Sequence, residues 1–277
     1  MDNAVTKKDL IIKGANVPAL GLGTWDLRGE DCVTGVQHAL TIGYRHLDTA
    51  QGYDNEAEVG RGIKTSGVPR DEMFVTTKVK PENFAKDKVL SSTQESLQKL
   101  GTDYVDLLLL HWPNPAVSLG ETFEGLLELH DAGHVKHLGV SNFPPTMVEE
   151  AMQYGPVFCN QVEYHPYLSQ DKLLAQAERA DYLLTAYSPL AQGKVLDDPI
   201  IKAIGVHHDK TVAQVVLRWL LQQEQVAAIP KAASQQHREA NFAVFDFELS
   251  DDEMKAIFDL GRGERLVDPA DGPDWER

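Results

Sequence analysis

Apolar positions along the chain follow two alternating rhythms. Short apolar and β-branched runs at Leu20–Gly23, Arg45–Asp48, Met73–Lys78, Val105–Leu110, Lys136–Val140, Phe158–Val162, Tyr182–Tyr187 and Val226–Ile229 read as buried strands. Between them the period becomes helical, over Cys32–Leu40, Asn55–Lys64 and Lys86–Leu100. Val89, Thr93, Leu97 and Leu100 share one stripe, as do Phe123, Leu126, Leu127 and His130. Strands that alternate with helices, with no Ser/Gly linker between them, imply a parallel sheet. Eight such units predict an α/β fold, a (β/α)8 TIM barrel formed by a single domain over residues 1–277.

Asp9–Pro18 adds an N-terminal β-hairpin, two apolar runs around a Gly/Asn turn. Extra C-terminal helices are expected after the barrel. The clearest starts at the capping box Ser250-Asp251-Asp252-Glu253 and runs to Leu260, and the tail from Gly261 reads as irregular. The competing α/β design, a Rossmann fold, needs three glycines in its first turn. Gly21-Leu22-Gly23-Thr24-Trp25-Asp26 has two, then a tryptophan and an acid.

Composition narrows the function. The 277 residues include 42 acids against 26 Lys and Arg, a formal net charge of −16 that argues against nucleic-acid and anionic-membrane partners. The 2 cysteines, Cys32 and Cys159, make no disulfide framework and have no metal-ligand spacing, so no metal and a cytoplasmic location are expected. The polar start, Met1 to Asp9, does not read as a secretory signal.

Three successive strands finish in chemistry: Asp48 with Tyr53 just beyond, Lys78, and His111. The ends of parallel barrel strands share one face, so these four side chains are placed to converge. A phenol is a weak acid near pKa 10. A neighbouring ammonium stabilises its phenolate, and a carboxylate holds the ammonium. Asp48, Lys78 and Tyr53 supply the three groups, with His111 to orient a carbonyl and share its proton.

The sequence resembles the aldo-keto reductases, and within them the bacterial 2,5-diketo-D-gluconate reductase branch, B type. The likeness runs from Leu20-Gly21-Leu22-Gly23-Thr24 through Asp48-Thr49-Ala50-Gln51, Tyr53-Asp54-Asn55-Glu56, Thr76-Thr77-Lys78, His111-Trp112-Pro113, Gly139-Val140-Ser141-Asn142-Phe143 and Tyr187-Ser188-Pro189-Leu190 to Ile229-Pro230-Lys231. The resemblance implies hydride transfer from NADPH to small aldehydes and ketones such as methylglyoxal, keto-sugars and aromatic aldehydes, with Tyr53 as the acid. It implies that Ser141, Asn142 and Gln161 hold the nicotinamide carboxamide, that Tyr187 stacks on its ring, and that Ser188, Leu190 and Gln192 follow the pyrophosphate. Lys231 would meet the 2′-phosphate, with Ser234, His237 and Asn241 near the adenosine. Gly23 and Thr24 would form the floor, and Trp25 and Trp112 the substrate walls.

The chain departs from the family at the phosphate end. Ala232 replaces the usual serine, His237 the usual arginine, and Arg238 stands one position late. NADH use therefore stays open beside NADPH. The short Asn114–Leu119 segment and tail imply an open pocket, and a monomer is expected. Two rivals remain: a non-catalytic cofactor-binding sensor or accessory subunit, and a metal-dependent barrel hydrolase built on His46, Asp48, His111, Glu163 and His165.

Overall fold

The computed structural model describes residues 9–270 and 272–275, so the polar segment Met1–Lys8 lies outside the described residues. Eight strands form one parallel sheet in chain order: β3 Leu22–Gly23, β4 His46–Asp48, β5 Phe74–Val79, β6 Val105–Leu110, β7 Val135–Ser141, β8 Cys159–Glu163, β9 Leu183–Tyr187 and β10 Val226–Ala228. Parallel bridges Leu20–Ala228 and Gly23–Lys231 bring the last strand against the first. There Gly21 N–H donates to Ala228 O at 2.9 Å and Gly23 N–H to Pro230 O at 3.1 Å, so the sheet curls round to meet itself. A Cβ at Gly21 would stand 2.9 Å from both His46 Cγ and Ile229 Cγ2, and one at Gly23 would stand 2.5 Å from Ile229 O. The two glycines that look like half of a phosphate-binding fingerprint thus let the closing strands approach each other.

The antiparallel hairpin of β1 Asp9–Ile12 and β2 Ala15–Pro18 crosses the N-terminal end of the sheet. Its Ile12 and Val17 are fully buried. Lys13 Nζ donates to Ala180 O at 2.9 Å, just ahead of β9, and Pro18 O accepts from His46 Nδ1 at 3.0 Å, at the start of β4. His46 is thus a polar residue deep in the barrel, spent on closing its floor.

The helices are α1 Gly29–Ile42, α2 Glu56–Ser66, α3 Lys86–Leu100, α4 Leu119–Asp131, α5 Pro145–Ala151, α6 Asp171–Ala180, α7 Pro199–His208, α8 Val212–Gln222, α9 Gln235–Phe242 and α10 Asp251–Phe258. Two helices, not one, join β9 to β10: Thr211 caps α8 with a capping box that separates it from α7. The expected α3 stripe is buried. On α4, however, Leu129 takes the place expected of His130, which faces solvent in the last turn.

All six residues of β5 and all six of β6 are buried, including two charges, Lys78 and Asp106. Asp106 lies near the N-terminal end of β6. It accepts from Arg70 Nη2 at 2.7 Å, Lys136 Nζ at 2.9 Å and Val75 N at 2.9 Å. The Arg70 and Lys136 cations also sit 4.2 and 4.1 Å from the centre of the Tyr104 ring.

Candidate active site

At the opposite end of the barrel, β4 ends in Asp48, and a turn after it carries Tyr53. Lys78 on β5 points between them. Its Nζ donates to Asp48 Oδ1 at 2.5 Å, Thr49 O at 2.9 Å and Tyr53 Oη at 3.1 Å, and its side chain is fully buried. These three contacts match the three donors of an ammonium. Gln161 Nε2 donates to the other Asp48 oxygen at 2.7 Å. His111, just past β6, meets the Tyr53 ring edge-on with centroids 5.6 Å apart. The four side chains expected to converge do so.

Their electrostatics correct the expectation that Lys78, held by Asp48, brings the Tyr53 pKa down towards the working range. Burial pushes the Tyr53 phenol above its ordinary value, and the pull of Lys78 in the other direction only partly offsets this. Burial works against the Lys78 ammonium as well, but Asp48 and the Tyr53 hydroxyl outweigh it and hold Lys78 above its ordinary range. The site therefore keeps both protons at neutral pH, a phenol resting on an ammonium. Burial, with Lys78 and Lys80 nearby, lowers His111 to about 3. Its ring is neutral: it can donate a hydrogen bond, but it holds no ionisable proton to share near pH 7.

A cleft of about 670 Å³ opens over this group, lined by Gly23, Trp25, Asp48, Tyr53, His111, Trp112, Ser141, Asn142, Gln161, Tyr187, Ser188, Leu190, Gln192 and Lys231 among others. Asn142 is its hub. Its Nδ2 donates to His111 O at 3.0 Å and Ser141 Oγ at 3.1 Å, and its Oδ1 accepts from Tyr187 Oη at 2.8 Å. It holds φ +64°, as do Ser188, Ala191 and Gln192 at +48°, +48° and +53° along one wall. Left-handed backbone at side-chain-bearing residues is a strain typical of ligand-shaped loops.

Several expected site residues stand elsewhere. Thr24 is buried behind the lining, its N and Oγ1 both donating to Asp48 O, so it shapes the floor without facing the cleft. Ser234 caps α9 by accepting from His237 N at 3.1 Å; His237 is exposed and Asn241 buried on that helix, all three beyond the lining. Arg238 turns inward, donating to Ala232 O, Ala233 O and His38 Nδ1, and so cannot replace the missing arginine. Asn55 starts α2 without capping it. Its amide ties Thr24 O and Leu27 O to the turn after β4, where Thr49 Oγ1 donates to it at 2.8 Å.

The residues of the hydrolase rival are otherwise engaged. Glu163 accepts from His165 Nε2 at 3.0 Å, Leu266 N at 2.9 Å and Val267 N at 3.0 Å. This pins the C-terminal tail to the rim, so that Val267 lines the cleft and Trp275 meets Trp112 with centroids 6.5 Å apart. The tail, read from sequence as merely short, is a wall of the site. Gly52, Gly193 and Val267 also line it and carried no sequence signal of their own.

The fold and site define a barrel oxidoreductase, and comparison with known proteins specifies which kind. The sequence pattern of the Aldo/keto reductase family matches residues 19–262. Methylglyoxal reductase DkgB of Escherichia coli O157:H7 is 42% identical over 266 residues, 94% of this chain and 99% of that protein. A crystal structure provisionally assigned as a 2,5-diketo-D-gluconic acid reductase B superposes with a TM-score of 0.95 at 47% identity, covering 97% of each chain. The Bombyx mori aldo-keto reductase in complex with NADP superposes with a TM-score of 0.90 at 32% identity, covering 99% of this chain and 100% of that one. The protein belongs to the aldo-keto reductase family and is an oxidoreductase.

Proposed function

We propose that the protein reduces small aldehydes and ketones to alcohols with NADPH, and that Tyr53 is the general acid. The contact of Lys78 Nζ with both Tyr53 Oη and Asp48 carries this reading. The cleft lining offers what such a cofactor needs: an aromatic face at Tyr187, a loop of left-handed backbone at Ser188 and Gln192, and a cation, Lys231. These are the partners that a flat ring, a phosphate chain and a phosphorylated sugar call for. When bound, the nicotinamide supplies the hydride, which no side chain can.

The protein's own groups supply the rest. His111, neutral, donates a hydrogen bond to the carbonyl oxygen and fixes its direction. Tyr53 gives its hydroxyl proton to that oxygen as negative charge develops there, and Lys78 stabilises the phenolate left behind. Asp48, gripped by Gln161, keeps the fully buried Lys78 charged. Ser141, Asn142 and Gln161 frame the carboxamide end, and Trp25 and Trp112 flank the substrate. Trp25 is 61% exposed, which suits small, varied carbonyl compounds rather than one enclosed substrate.

Lys231 is the phosphate contact, and with Ala232, His237 and the inward Arg238 it acts with little help. NADPH is preferred and NADH serves as the poorer donor. Methylglyoxal, keto-sugars such as 2,5-diketo-D-gluconate and aromatic aldehydes are the substrate class, and the chain works as a monomeric barrel domain, 1–277, in the cytoplasm. Cofactor oxidation against a panel of these compounds tests the reading. Turnover with NADPH is expected; no oxidation with any of them overturns the reaction, and faster turnover with saturating NADH overturns the phosphate contact.

A further inference from the structure

The end of α7 and the start of α10 bring together three metal-ligating side chains that carbonyl reduction does not use. Glu253 Oε1 accepts from His207 Nδ1 at 2.9 Å and from His208 Nε2 at 2.9 Å. The donor atoms of the three residues lie within 4.8 Å of one another, the one such group among the described residues. We propose that His207, His208 and Glu253 form a surface site for a borderline divalent transition ion such as Zn²⁺.

Geometry and ligand type carry the assignment. Tetrahedral zinc with bonds of about 2.0–2.1 Å places its ligand atoms about 3.3 Å apart. The two 2.9 Å separations are short of this by a few tenths of an ångström, a change that side-chain torsions absorb. Two imidazoles and one carboxylate select Zn²⁺, Ni²⁺ or Cu²⁺ over Mg²⁺ or Ca²⁺, which take mainly oxygen.

The carboxylate is also held in place. Glu253 Oε2 accepts from Ser250 N at 2.8 Å and Ser250 Oγ at 3.0 Å, the capping box of α10, and also lies 3.0 Å from His208 Nε2. That bond orients the ligand from behind and leaves Oε1 for the ion, the service an outer-shell partner gives in metal sites. His208 is steadied against Phe247, with ring centroids 5.3 Å apart. The His208 and Glu253 side chains are only 16% and 14% exposed, whereas His207 is 73% exposed, so the ion approaches from the His207 side and keeps water in its remaining position. Each imidazole binds through the nitrogen that now faces Glu253, so its proton moves to the other ring nitrogen or to solvent.

Such an ion ties α7 to α10, the helix from which the cleft-lining tail departs. It lies outside the reacting groups and stabilises the fold by mass action. Titration calorimetry of the untagged protein with ZnCl₂ is the test, alongside His207→Ala and the fold-conserving His208→Gln. The wild type is expected to take up one Zn²⁺ at micromolar affinity and to melt a few degrees higher with zinc present. Either variant should bind at least tenfold more weakly and lose the shift, with NADPH-dependent turnover unchanged in metal-free buffer. Zinc uptake equal in wild type and variants, or an equal shift with MgCl₂, overturns the site. A melting temperature in the variants equal to that of the metal-free wild type shows that the fold survived the substitution.

Discussion

Asp48 and Asp106 are two buried carboxylates on one sheet, and they do opposite jobs. Both hold lysine: Lys78 at 2.5 Å from Asp48, Lys136 at 2.9 Å from Asp106. The difference lies in what the cation does next. Lys78 is fully buried and spends a remaining donor on the Tyr53 hydroxyl, at the end of the barrel that opens into a cleft. Lys136 and Arg70 reach solvent, 47% and 19% exposed, and both lie against Tyr104 at the closed end, where Arg70 also donates to Met73 O and Thr102 Oγ1. The same pairing is poised for chemistry where its cation is sealed from solvent beneath a hydroxyl that lines the cleft, and serves the fold where its cation reaches solvent at the closed end.

The largest effect should fall at the open end. Tyr53→Phe removes the proton and keeps the ring, so turnover should drop by roughly 10²–10⁴-fold, the usual yield of a positioned acid. Melting temperature should fall by only a few degrees, since one charge-assisted contact of roughly 1–2 kcal/mol is lost and Tyr53 borders the cleft. Steady-state kinetics with a thermal melt decides this, and unchanged turnover removes Tyr53 from the mechanism. Asp106→Asn should show the reverse. It weakens two charge-assisted bonds, one to a half-exposed lysine, which at roughly 2–3 kcal/mol in all lowers the melting temperature by several degrees and leaves turnover per folded molecule intact. A kinetic defect in Asp106→Asn would erase the distinction between the two ends.

A third effect depends on pH. The folded pKa of His111 is lowered from 6.5 to about 3. Such a group contributes stability in full above about 6.5, and this is lost as pH falls towards 3, because the unfolded chain takes the proton first. From pH 7.5 to pH 5 the loss is about 2 kcal/mol, and buried His46, also lowered, adds to it in the same direction. Urea denaturation at the two values measures it. His111→Gln should flatten the dependence, and an unaltered slope would show that the ring is not buried neutral.

These contrasts were partly legible in the sequence. The barrel was, because eight short runs keep strand character while the intervening period stays helical. The open-end group was, because a lysine, an acid and a histidine at successive strand ends have no use as core. What stayed hidden depends on three-dimensional neighbours. That His111 is neutral follows from its depth beside Lys78. Arg238 counts as a cation in any tally, yet its burial and its carbonyl partners withdraw it from the phosphate end. The break between α7 and α8 rests on two adjacent caps, Asp209 in the left-handed region ending α7 and Thr211 starting α8, too local for a periodicity to reveal.

The tail is the region that sequence reading missed most, and it sharpens the comparison with a third carboxylate. Residues 261–275 have no period because Gly and Pro interrupt them, so nothing local places them. Their position comes from Glu163, which holds Leu266 and Val267 from 103 and 104 positions earlier in the chain. Burial disfavours the Glu163 carboxylate, but His165 and those two N–H groups outweigh it and keep its pKa below the ordinary range. Glu163 thus sits at the open end, yet it grips backbone rather than a reacting group. Glu163→Gln should therefore raise KM for the carbonyl substrate a few-fold, about 1 kcal/mol of binding, and leave kcat within a factor of two. Amide exchange at Leu266 and Val267 should quicken together with the change in KM. A fall in kcat with the two amides still protected would move Glu163 into the class of Asp48; the expected split would establish that a buried acid at this rim can serve the wall alone.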